Sequence, residues 1–338
     1  MSKTNKQWKL KRRPVGDIGK DDLELVESPI PALNDGEILV RNIYLSVDPT
    51  NRIWMSDIDQ YMDPVGIGDV MRGGTCGIVE ASKNPGFEPG DFVIGGMQWE
   101  TYSILPGAAK LPADTGLPLT AFMSVLGATG MTAYFGLLDV GKPKEGETVV
   151  VSAAAGAVGS LVGQIAKIKG CRAVGIAGGP EKCQHVIDTF GFDACVDYKA
   201  GNVLEDLRAA CPDGIDVDFE NVGGDIMDDV FTLLNLNARV SLCGMISTYN
   251  NADDWTGPKM FRNILMKRAI VQGFIITDFL ERFPEAQMEM GQWIMEGKLK
   301  WDVDVVDGIE NALDALDRIF TGKNLGKQLV RLSEDPTA

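Results

Sequence analysis

The fold of this chain is decided by the stretch Thr148-Val-Val-Val-Ser152, which continues as Ala153-Ala-Ala-Gly-Ala-Val-Gly159. An uninterrupted apolar run of this length is typical of a buried strand in a parallel sheet. Residues 157–169 then show the apolar spacing of a helix. Because small residues separate the two elements, the sequence predicts a tight turn that leads from the strand directly into the helix.

The alternation of strand and helix continues beyond this unit. Arg172-Ala-Val-Gly-Ile176 predicts the next strand. Residues 180–190 predict the next helix, since proline at position 180 suits a first helical turn. Further strands are predicted at 194–197, 215–219, 239–243 and 269–274. This pattern predicts an α/β fold with a doubly wound parallel sheet.

The first third of the chain has a different character. Gly36-Glu-Ile-Leu-Val-Arg-Asn-Ile-Tyr-Leu-Ser46 alternates apolar and polar residues, and 73–80 and 91–95 predict further strands. Asn84-Pro-Gly-Phe-Glu-Pro-Gly-Asp91 is dense in turn-forming residues. Many short strands joined by such turns predict a barrel or a folded sheet.

The C-terminal end predicts one amphipathic helix over 308–320 and one strand over 326–332. So short a segment cannot build a core of its own, so we expect it to return to the first domain. The predicted domains are therefore 1–127 together with 303–338, and 128–302. With 338 residues, the chain is long enough for two such cores.

Composition excludes several classes of function. The net charge of −16 argues against a protein that binds nucleic acid. The absence of an apolar run of about eighteen residues argues against a membrane protein. The polar, basic residues 1–13 lack the apolar core of a secretory signal, so the cytoplasm is the location predicted by default.

The pattern of cysteine and histidine argues against a metal site. None of the six cysteines forms a C-x-x-C pair, and His185 is the only histidine. We therefore predict no bound metal and interpret the cysteines as reduced thiols.

The small-residue turn carries the strongest chemical signal. It has the spacing of a Rossmann fingerprint, with Ala154 in the first glycine position. Gly156 would let the backbone approach a pyrophosphate, and Gly159 would let the helix pack closely on the strand. A tight strand–helix junction without a ligand is the alternative. The surrounding β-α-β unit favours a dinucleotide.

The second strand of this unit indicates which dinucleotide. NAD sites usually have a carboxylate near the end of this strand, where it holds the ribose hydroxyls. Here Gly178 and Gly179 leave room for a 2′-phosphate, and Lys182 could pair with it. An ordinary solvated lysine is the alternative, and Glu181 next to it weakens the prediction. The sequence favours NADPH over NADH.

Several motifs together resemble one family. They are Tyr44-Leu-Ser-Val-Asp-Pro49, Gly130-Met-Thr-Ala-Tyr134, the turn at 153–159, Gly178-Gly-Pro-Glu-Lys182, Asp197-Tyr-Lys199, Glu220-Asn-Val-Gly-Gly224, Cys243-Gly-Met-Ile-Ser-Thr-Tyr-Asn250, Gln272-Gly-Phe274 and Asn324-Leu-Gly-Lys327. The chain resembles the zinc-independent medium-chain dehydrogenase/reductase superfamily, within the group of prostaglandin reductase, leukotriene B4 12-hydroxydehydrogenase and curcumin reductase. The resemblance extends over nearly the full length.

The resemblance implies a GroES-like, partly open barrel-like catalytic domain, completed by the C-terminal segment, beside a Rossmann domain that binds NADP. It also implies the reduction of the C=C bond of α,β-unsaturated ketones or aldehydes by NADPH, and a homodimer joined along the strand at 269–274. Cofactor contacts are implied for Thr132, Ala155, Gly156, Ala157, Val158, Gly178, Gly179, Lys182, Tyr198, Asn221, Cys243, Gly244, Tyr249, Phe274, Asn324 and Gly326.

The substrate side departs from the family pattern at Thr50-Asn-Arg-Ile-Trp-Met55. This departure leaves the identity of the substrate open. Tyr44, Asn51, Arg52, Tyr61, Met62 and Trp99 are the candidate substrate contacts. For Tyr61, Met62 and Trp99, plain packing within the domain is an equal alternative.

Tyr249 is the candidate catalytic residue, because it follows a Rossmann strand and its phenol could donate to an enolate oxygen. Cys76 and Cys243 are interpreted as core residues rather than nucleophiles, and Asp48 as a turn residue. Two alternatives stay open. One is a zinc-independent NADPH:quinone oxidoreductase, and the other is a protein that only binds NADPH, such as a redox sensor.

Overall fold

The computed structural model describes residues 3–96, 98–112, 115–251 and 257–337. Its strands are β1 (Thr4–Leu10), β2 (Leu23–Pro29), β3 (Ile38–Ser46), β4 (Thr75–Ser82), β5 (Phe92–Gly95), β6 (Tyr102–Leu105), β7 (Ala109–Lys110), β8 (Thr148–Val151), β9 (Arg172–Ala177), β10 (Ala194–Asp197), β11 (Ile215–Glu220), β12 (Leu234–Leu242), β13 (Ile270–Gly273), β14 (Val303–Asp307) and β15 (Lys327–Arg331). Its α-helices are α1 (Thr50–Trp54), α2 (Leu119–Phe122), α3 (Ala128–Phe135), α4 (Gly159–Ile168), α5 (Pro180–Phe190), α6 (Val203–Ala210), α7 (Gly224–Thr232), α8 (Arg262–Lys267), α9 (Phe283–Met295) and α10 (Ala312–Phe320).

The chain separates into two compact units. Unit 1 comprises Met1–Met123, Val303–Asn324 and Gln328–Ala338, and unit 2 comprises Ser124–Asp302 and Leu325–Lys327. The predicted domain boundaries stay a prediction, because compactness does not test independent folding. Among the described helices, none is both long and apolar enough to cross a membrane.

Unit 2 is built on a parallel sheet with the strand order β10-β9-β8-β11-β12-β13. All four residues of β8 are buried, as its apolar run predicts. The chain begins this sheet in the middle and adds strands first on one side and then on the other. The predicted doubly wound α/β fold is confirmed.

The predicted bounds hold closely for β9, α5 and β10, whereas β12 begins earlier than predicted. Ile215 pairs with Leu234, but the next pair joins Val217 to Arg239, so the register shifts between them. Asn237 at this irregularity has a φ of 63°. Residues 234–237 read Leu-Asn-Leu-Asn, and the two asparagines are the reason that this first part of β12 was not predicted as a strand.

Unit 1 contains a second sheet with the order β14-β15-β3-β4-β5-β7, and β6 also pairs with β3. β15 runs antiparallel to β3, with Leu329 opposite Ser46. The C-terminal segment therefore adds its strands to the sheet of the N-terminal third. This arrangement follows the prediction that the tail returns to the first domain.

β1 and β2 form a separate antiparallel ribbon, which was not predicted from the sequence. Lysines and amides occupy much of β1, which hides the alternation that places Trp8 and Leu10 inward. Trp8 packs with Trp99 and Leu316 in the core of unit 1, and its Nε1 donates to the carbonyl of Ile309 over 2.7 Å. The ribbon is therefore held by the C-terminal segment.

Asp218 in β11 is the least expected core residue of unit 2. Its side chain is fully buried, and neither carboxyl oxygen has a hydrogen-bond partner within the described residues. Burial, together with the nearby charge of Glu220, raises the pKa of Asp218 well above its ordinary value. The folded protein therefore keeps the proton of this carboxyl group to a higher pH than an exposed aspartate does.

This raised pKa predicts a pH-dependent stability. Above the ordinary pKa of aspartate, the unfolded chain loses the proton that the folded chain keeps, so the folded state loses stability as pH rises towards the folded-state pKa. The variant Asp218→Asn cannot ionise. Between the unfolded-state and folded-state pKa values, the free energy of unfolding of the variant should rise relative to that of the parent. The rise should be up to about 1.4 kcal/mol for each pH unit. Urea unfolding between pH 5 and 9 measures the difference, and parallel pH curves would contradict the assignment.

Candidate functional site

The turn between β8 and α4 is shaped by a close backbone approach. A Cβ atom added at Gly159 would lie 2.4 Å from the carbonyl oxygen of Ala153, so α4 can pack onto the turn only with glycine there. Ala155, Gly156 and Ala157 continue the turn, and Val158 is the N-cap residue of α4. The first N–H groups of a helix have no intrahelical acceptor and carry a partial positive charge. This turn can therefore hold an anionic group.

Gly326 reaches the same turn from the far end of the sequence. Its N–H donates to the carbonyl of Ala155 over 2.9 Å, and it forms an isolated parallel bridge with Gly156. Both residues belong to unit 2. The structure thus brings together two predicted parts of the cofactor site that lie far apart in the chain.

The end of β9 has the open character that the sequence predicts. Gly178 and Gly179 follow the strand, and Lys182 lies in the first turn of α5. A Cβ at Gly178 would lie 2.7 Å from the Tyr198 hydroxyl, so the exposed Tyr198 stands directly over this glycine. The segment after β9 thus has a phenol over Gly178 and a lysine in the helical turn that follows.

Asp197 is a nearby carboxylate that the sequence analysis did not single out as a separate site residue. Its Oδ1 accepts hydrogen bonds from the backbone N–H of Gly179 over 2.6 Å and of Lys199 over 2.9 Å. The carboxylate thus stabilises the turn after β9 through backbone donors. Its position at the end of β10 was visible in the sequence, but its partners were not.

The ends of β11 and β12 bring Asn221, Cys243 and Gly244 to the same edge of the sheet. Asn221 Nδ2 donates to the carbonyl of Ser152 over 2.8 Å, which joins it to the end of β8. Burial, followed by the charge of Glu220, raises the pKa of the Cys243 thiol to about 12. The thiol is therefore protonated at neutral pH and is a poor nucleophile.

Tyr249 lies half-buried at the end of the loop that follows β12. The backbone N–H of Met245 donates to its hydroxyl oxygen over 3.1 Å, and its own N–H donates to the carbonyl of Ile246. The contact with Met245 uses a lone pair of the phenol oxygen, not its proton. The hydroxyl is thus fixed by the backbone beyond a strand of the parallel sheet, where ligands bind in folds of this type.

Two further predicted contacts have packing roles in unit 2. The Phe274 ring makes edge-to-face contacts with Phe219 and Phe279, at centroid distances of 6.3 and 6.4 Å. The Thr132 hydroxyl donates to the carbonyl of Ala128 within α3 over 2.8 Å. Their roles as cofactor contacts stay predictions, as does that of Asn324, which lies in unit 1.

Most of the predicted substrate contacts have structural partners inside unit 1. Tyr44 is buried and donates to Asp335 over 3.1 Å, and burial raises its pKa to about 12. Asn51 accepts from the backbone N–H of Asp48 over 2.7 Å. The guanidinium of Arg52 is buried and donates to the carbonyls of Pro14 and Gly16.

The three aromatic and sulfur-containing candidates differ in exposure. Trp99 is fully buried in the core of unit 1, which favours the packing alternative for this residue. Tyr61 is 45% exposed, and its hydroxyl contacts Thr50 Oγ1 over 2.5 Å. Met62 is partly exposed. Among the candidates in unit 1, Tyr61 and Met62 keep the most accessible side chains.

A metal centre does not fit the described residues. Within the ranges that the structure covers, no three His, Cys, Asp or Glu side chains are grouped so that they could hold a metal ion. His185 contacts Asp302 through Nε2 over 2.5 Å and Thr189 through Nδ1 over 3.2 Å. We therefore derive no chemical step through zinc.

Two family models match the chain. The model described as the N-terminal domain of oxidoreductase matches residues 6–112. The model described as zinc-binding dehydrogenase matches residues 157–292. The second name contrasts with the donor set of this chain, which lacks a zinc-ligand cluster among its described residues.

Whole-chain comparisons give close relatives. The NADPH-dependent curcumin reductase of Escherichia coli is 45% identical, and the alignment covers 98% of each chain. The NADP(+)-dependent 2-alkenal reductase of Nicotiana tabacum is 39% identical, again with 98% of each chain covered. A crystal structure of CurA from Vibrio vulnificus in complex with NADPH is 46% identical, with a TM-score of 0.94 over 98% of this chain and 100% of that one.

Proposed function

The chain belongs to the medium-chain dehydrogenase/reductase superfamily, in the group of curcumin, prostaglandin and 2-alkenal reductases, and from this premise we propose that it reduces the C=C bond of α,β-unsaturated ketones or aldehydes with NADPH. The observation that carries the proposal is the combination of an anion-binding turn at 153–159 with a fixed phenol at Tyr249 beyond the same sheet. Relatives with nearly complete coverage are named for this chemistry.

The residues of unit 2 fit NADPH. The pyrophosphate would lie against the start of α4, where Gly156 and Gly159 keep side chains out of the way. The 2′-phosphate would lie beside Gly178, with Lys182 and Tyr198 as its partners. Ala155, Ala157, Val158, Asn221, Gly244 and Gly326 are proposed to line the remaining path of the cofactor.

When bound, NADPH supplies the hydride that adds to the β-carbon of the unsaturated carbonyl compound. Negative charge then develops on the carbonyl oxygen as an enolate, and a proton from water or from Tyr249 adds to the α-carbon to give the saturated product. Tyr249 is proposed to stabilise this charge by donating its phenol proton in a hydrogen bond, directly or through a ribose hydroxyl. One such donor can be worth about 3–4 kcal/mol.

We propose that the reaction needs no metal, because polarisation of the carbonyl is assigned to Tyr249. We also propose a cytoplasmic location, which the free cysteines support. All six cysteines are unpaired in the structure. Reduced thiols are typical of proteins in a reducing compartment.

A screen for NADPH consumption tests this function. Purified protein is given an enone, an enal or a quinone, and the same series is repeated with NADH. We expect the enone and enal to be consumed with NADPH preferred, and mass spectrometry should identify the saturated carbonyl product. Consumption of the quinone alone would replace the proposal with a quinone oxidoreductase. Tight NADPH binding without turnover of any compound would favour a sensor.

The role of Tyr249 gives a more specific expectation. Tyr249→Phe keeps the ring but removes the hydroxyl, so kcat for an enone should fall about a hundredfold, the effect of losing one donor to a developing oxyanion. The dissociation constant for NADPH, measured by fluorescence titration, should change much less. Turnover equal to that of the parent would remove Tyr249 from the mechanism.

A homodimer is the proposed assembly, and the edge of the sheet in unit 2 supports it. β13 is the last strand in the sheet order, and all four of its residues are exposed. Ile270 is 60% exposed, and Leu265 on the neighbouring α8 is 73% exposed. An apolar edge strand with unpaired backbone groups is a template for another strand. A second copy of β13 is the partner that we propose for it.

Ile270→Lys should therefore shift the protein from dimer to monomer, because it places a charge on the joined edge, at the first residue of β13. Light scattering after size-exclusion chromatography measures the mass. Met288→Lys is the matched control, since Met288 is also an exposed apolar residue, at 76%, but lies on α9 rather than on β13. An unchanged mass for the Ile270 variant, or an equal effect of both variants, would reject β13 as the interface.

A further inference from the structure

Glu220, the last residue of β11, is a buried acidic residue with three donors at Oε1 and none at Oε2 within the described residues. Its Oε1 accepts hydrogen bonds from Ser152 Oγ over 2.8 Å, from the backbone N–H of Val222 over 2.5 Å and from that of Gly223 over 2.8 Å. The side chain is fully buried. Glu220 therefore fixes the turn that follows its own strand, residues 220–223.

The turn 220–223 is hydrogen-bonded to the loop after β12, residues 243–249. The backbone N–H groups of Cys243 and Gly244 donate to the Glu220 carbonyl over 2.9 and 3.1 Å. Ile246 N–H donates to the carbonyl of Asn221 over 3.1 Å. These hydrogen bonds join successive residues of the turn to successive residues of the loop. A shift of the turn would therefore shift the loop.

Ser247 makes the last of these links. Its N–H and its hydroxyl both donate to the carbonyl of Val222, over 3.0 and 2.6 Å. Val222 is thus bound on one side by Glu220 and on the other by Ser247. A continuous set of hydrogen bonds leads from the buried carboxylate to the loop whose last residue is Tyr249.

Tyr249 is bound within this loop by two hydrogen bonds. Met245 N–H holds its hydroxyl oxygen, and the Ile246 carbonyl holds its backbone. Met245 and Ile246 both lie within residues 243–247, the part of the loop that the turn 220–223 binds. The position of the phenol therefore depends on the turn, and the turn depends on Glu220.

Asp218 provides a contrast within the same strand. It lies two residues before Glu220, so the two side chains point to the same face of β11, and both are fully buried. No donor within the described residues reaches the carboxyl oxygens of Asp218. Burial raises the pKa of both groups, and backbone and hydroxyl donors oppose the rise only at Glu220. Only Glu220 is connected to the loop 243–249.

We propose that Glu220 is a positioning residue for the reduction, which holds the Tyr249 hydroxyl in place through the turn 220–223 and the loop 243–249. The proposal rests on the proposed function of Tyr249. Glu220 itself touches neither substrate nor cofactor in this account. Its effect on the reaction is transmitted by the backbone of the two segments.

The test compares three single variants with the parent, each assayed with NADPH and an enone. Glu220→Gln keeps the size of the side chain but removes its charge, and we expect kcat to fall about tenfold while KM for NADPH changes less. Ser247→Ala cuts the hydroxyl link to Val222 from the other side, and kcat should fall in the same direction. Asp218→Asn makes the same carboxyl-to-amide change on the same strand face, and kcat should stay within about twofold of the parent.

The decisive measurement repeats the first two changes in a Tyr249→Phe background. If Glu220 acts through Tyr249, each change should lower kcat far less there than in the parent, because the hydroxyl is already absent. A purely structural effect would be fully additive, and additive losses would overturn the proposal. Should the Glu220 variant fail to fold, Ser247→Ala gives the same cycle through an exposed side chain.

The outcomes also separate this proposal from the proposed function. A parent protein that consumes no enone, or a Tyr249→Phe variant with normal turnover, counts against the function assigned above. A parent that turns over and depends on Tyr249, but whose Glu220→Gln and Ser247→Ala variants retain the parental kcat, counts against the positioning role alone.

Discussion

The structure of unit 2 depends on the close packing of α4 against the end of β8. β8 lies inside the parallel sheet between β9 and β11, and all of its residues are buried. The helix can begin immediately after the strand because Gly159 has no side chain to collide with the Ala153 carbonyl. This contact sets the direction of the N–H groups at the helix start, and thereby creates a place for an anion where the neighbouring strands also end. The remaining parts of the site gather around that edge.

A second constraint is electrostatic. Two buried carboxyl groups on one face of β11 cannot both carry a charge at low cost. Glu220 is surrounded by backbone and hydroxyl donors, whereas Asp218 has none among the described residues. The donors at Glu220 connect it to two loops, whereas Asp218 lies in the buried interior of unit 2. The hydrogen bonds that offset part of the cost of burying these two carboxyl groups are made at Glu220. They lie at the end of the sheet that carries the proposed chemistry.

Unit 1 shows how distant parts of the sequence complete one core. β15 pairs with β3, and the carbonyl of Ile309 accepts from Trp8 at the other end of the chain. Several polar residues that suggested a substrate surface are used inside this unit instead. Arg52, for example, is buried and binds backbone carbonyls of residues 14 and 16. Its place in the stretch 50–55 made it a candidate for binding substrate, but its guanidinium binds the backbone of a loop in the same unit.

The sequence by itself determined the parallel sheet, the small-residue turn and the open end of β9, because these depend on local patterns: apolar runs, glycine spacing and a missing carboxylate. It also located Tyr249 after a strand. Only the tertiary structure decided that Gly326 reaches the turn at Ala155, that Trp99 is buried in a core and that Glu220 connects to the loop of Tyr249. These features arise from contacts between residues distant in the chain, and neither periodicity nor residue type specifies which distant partners will meet.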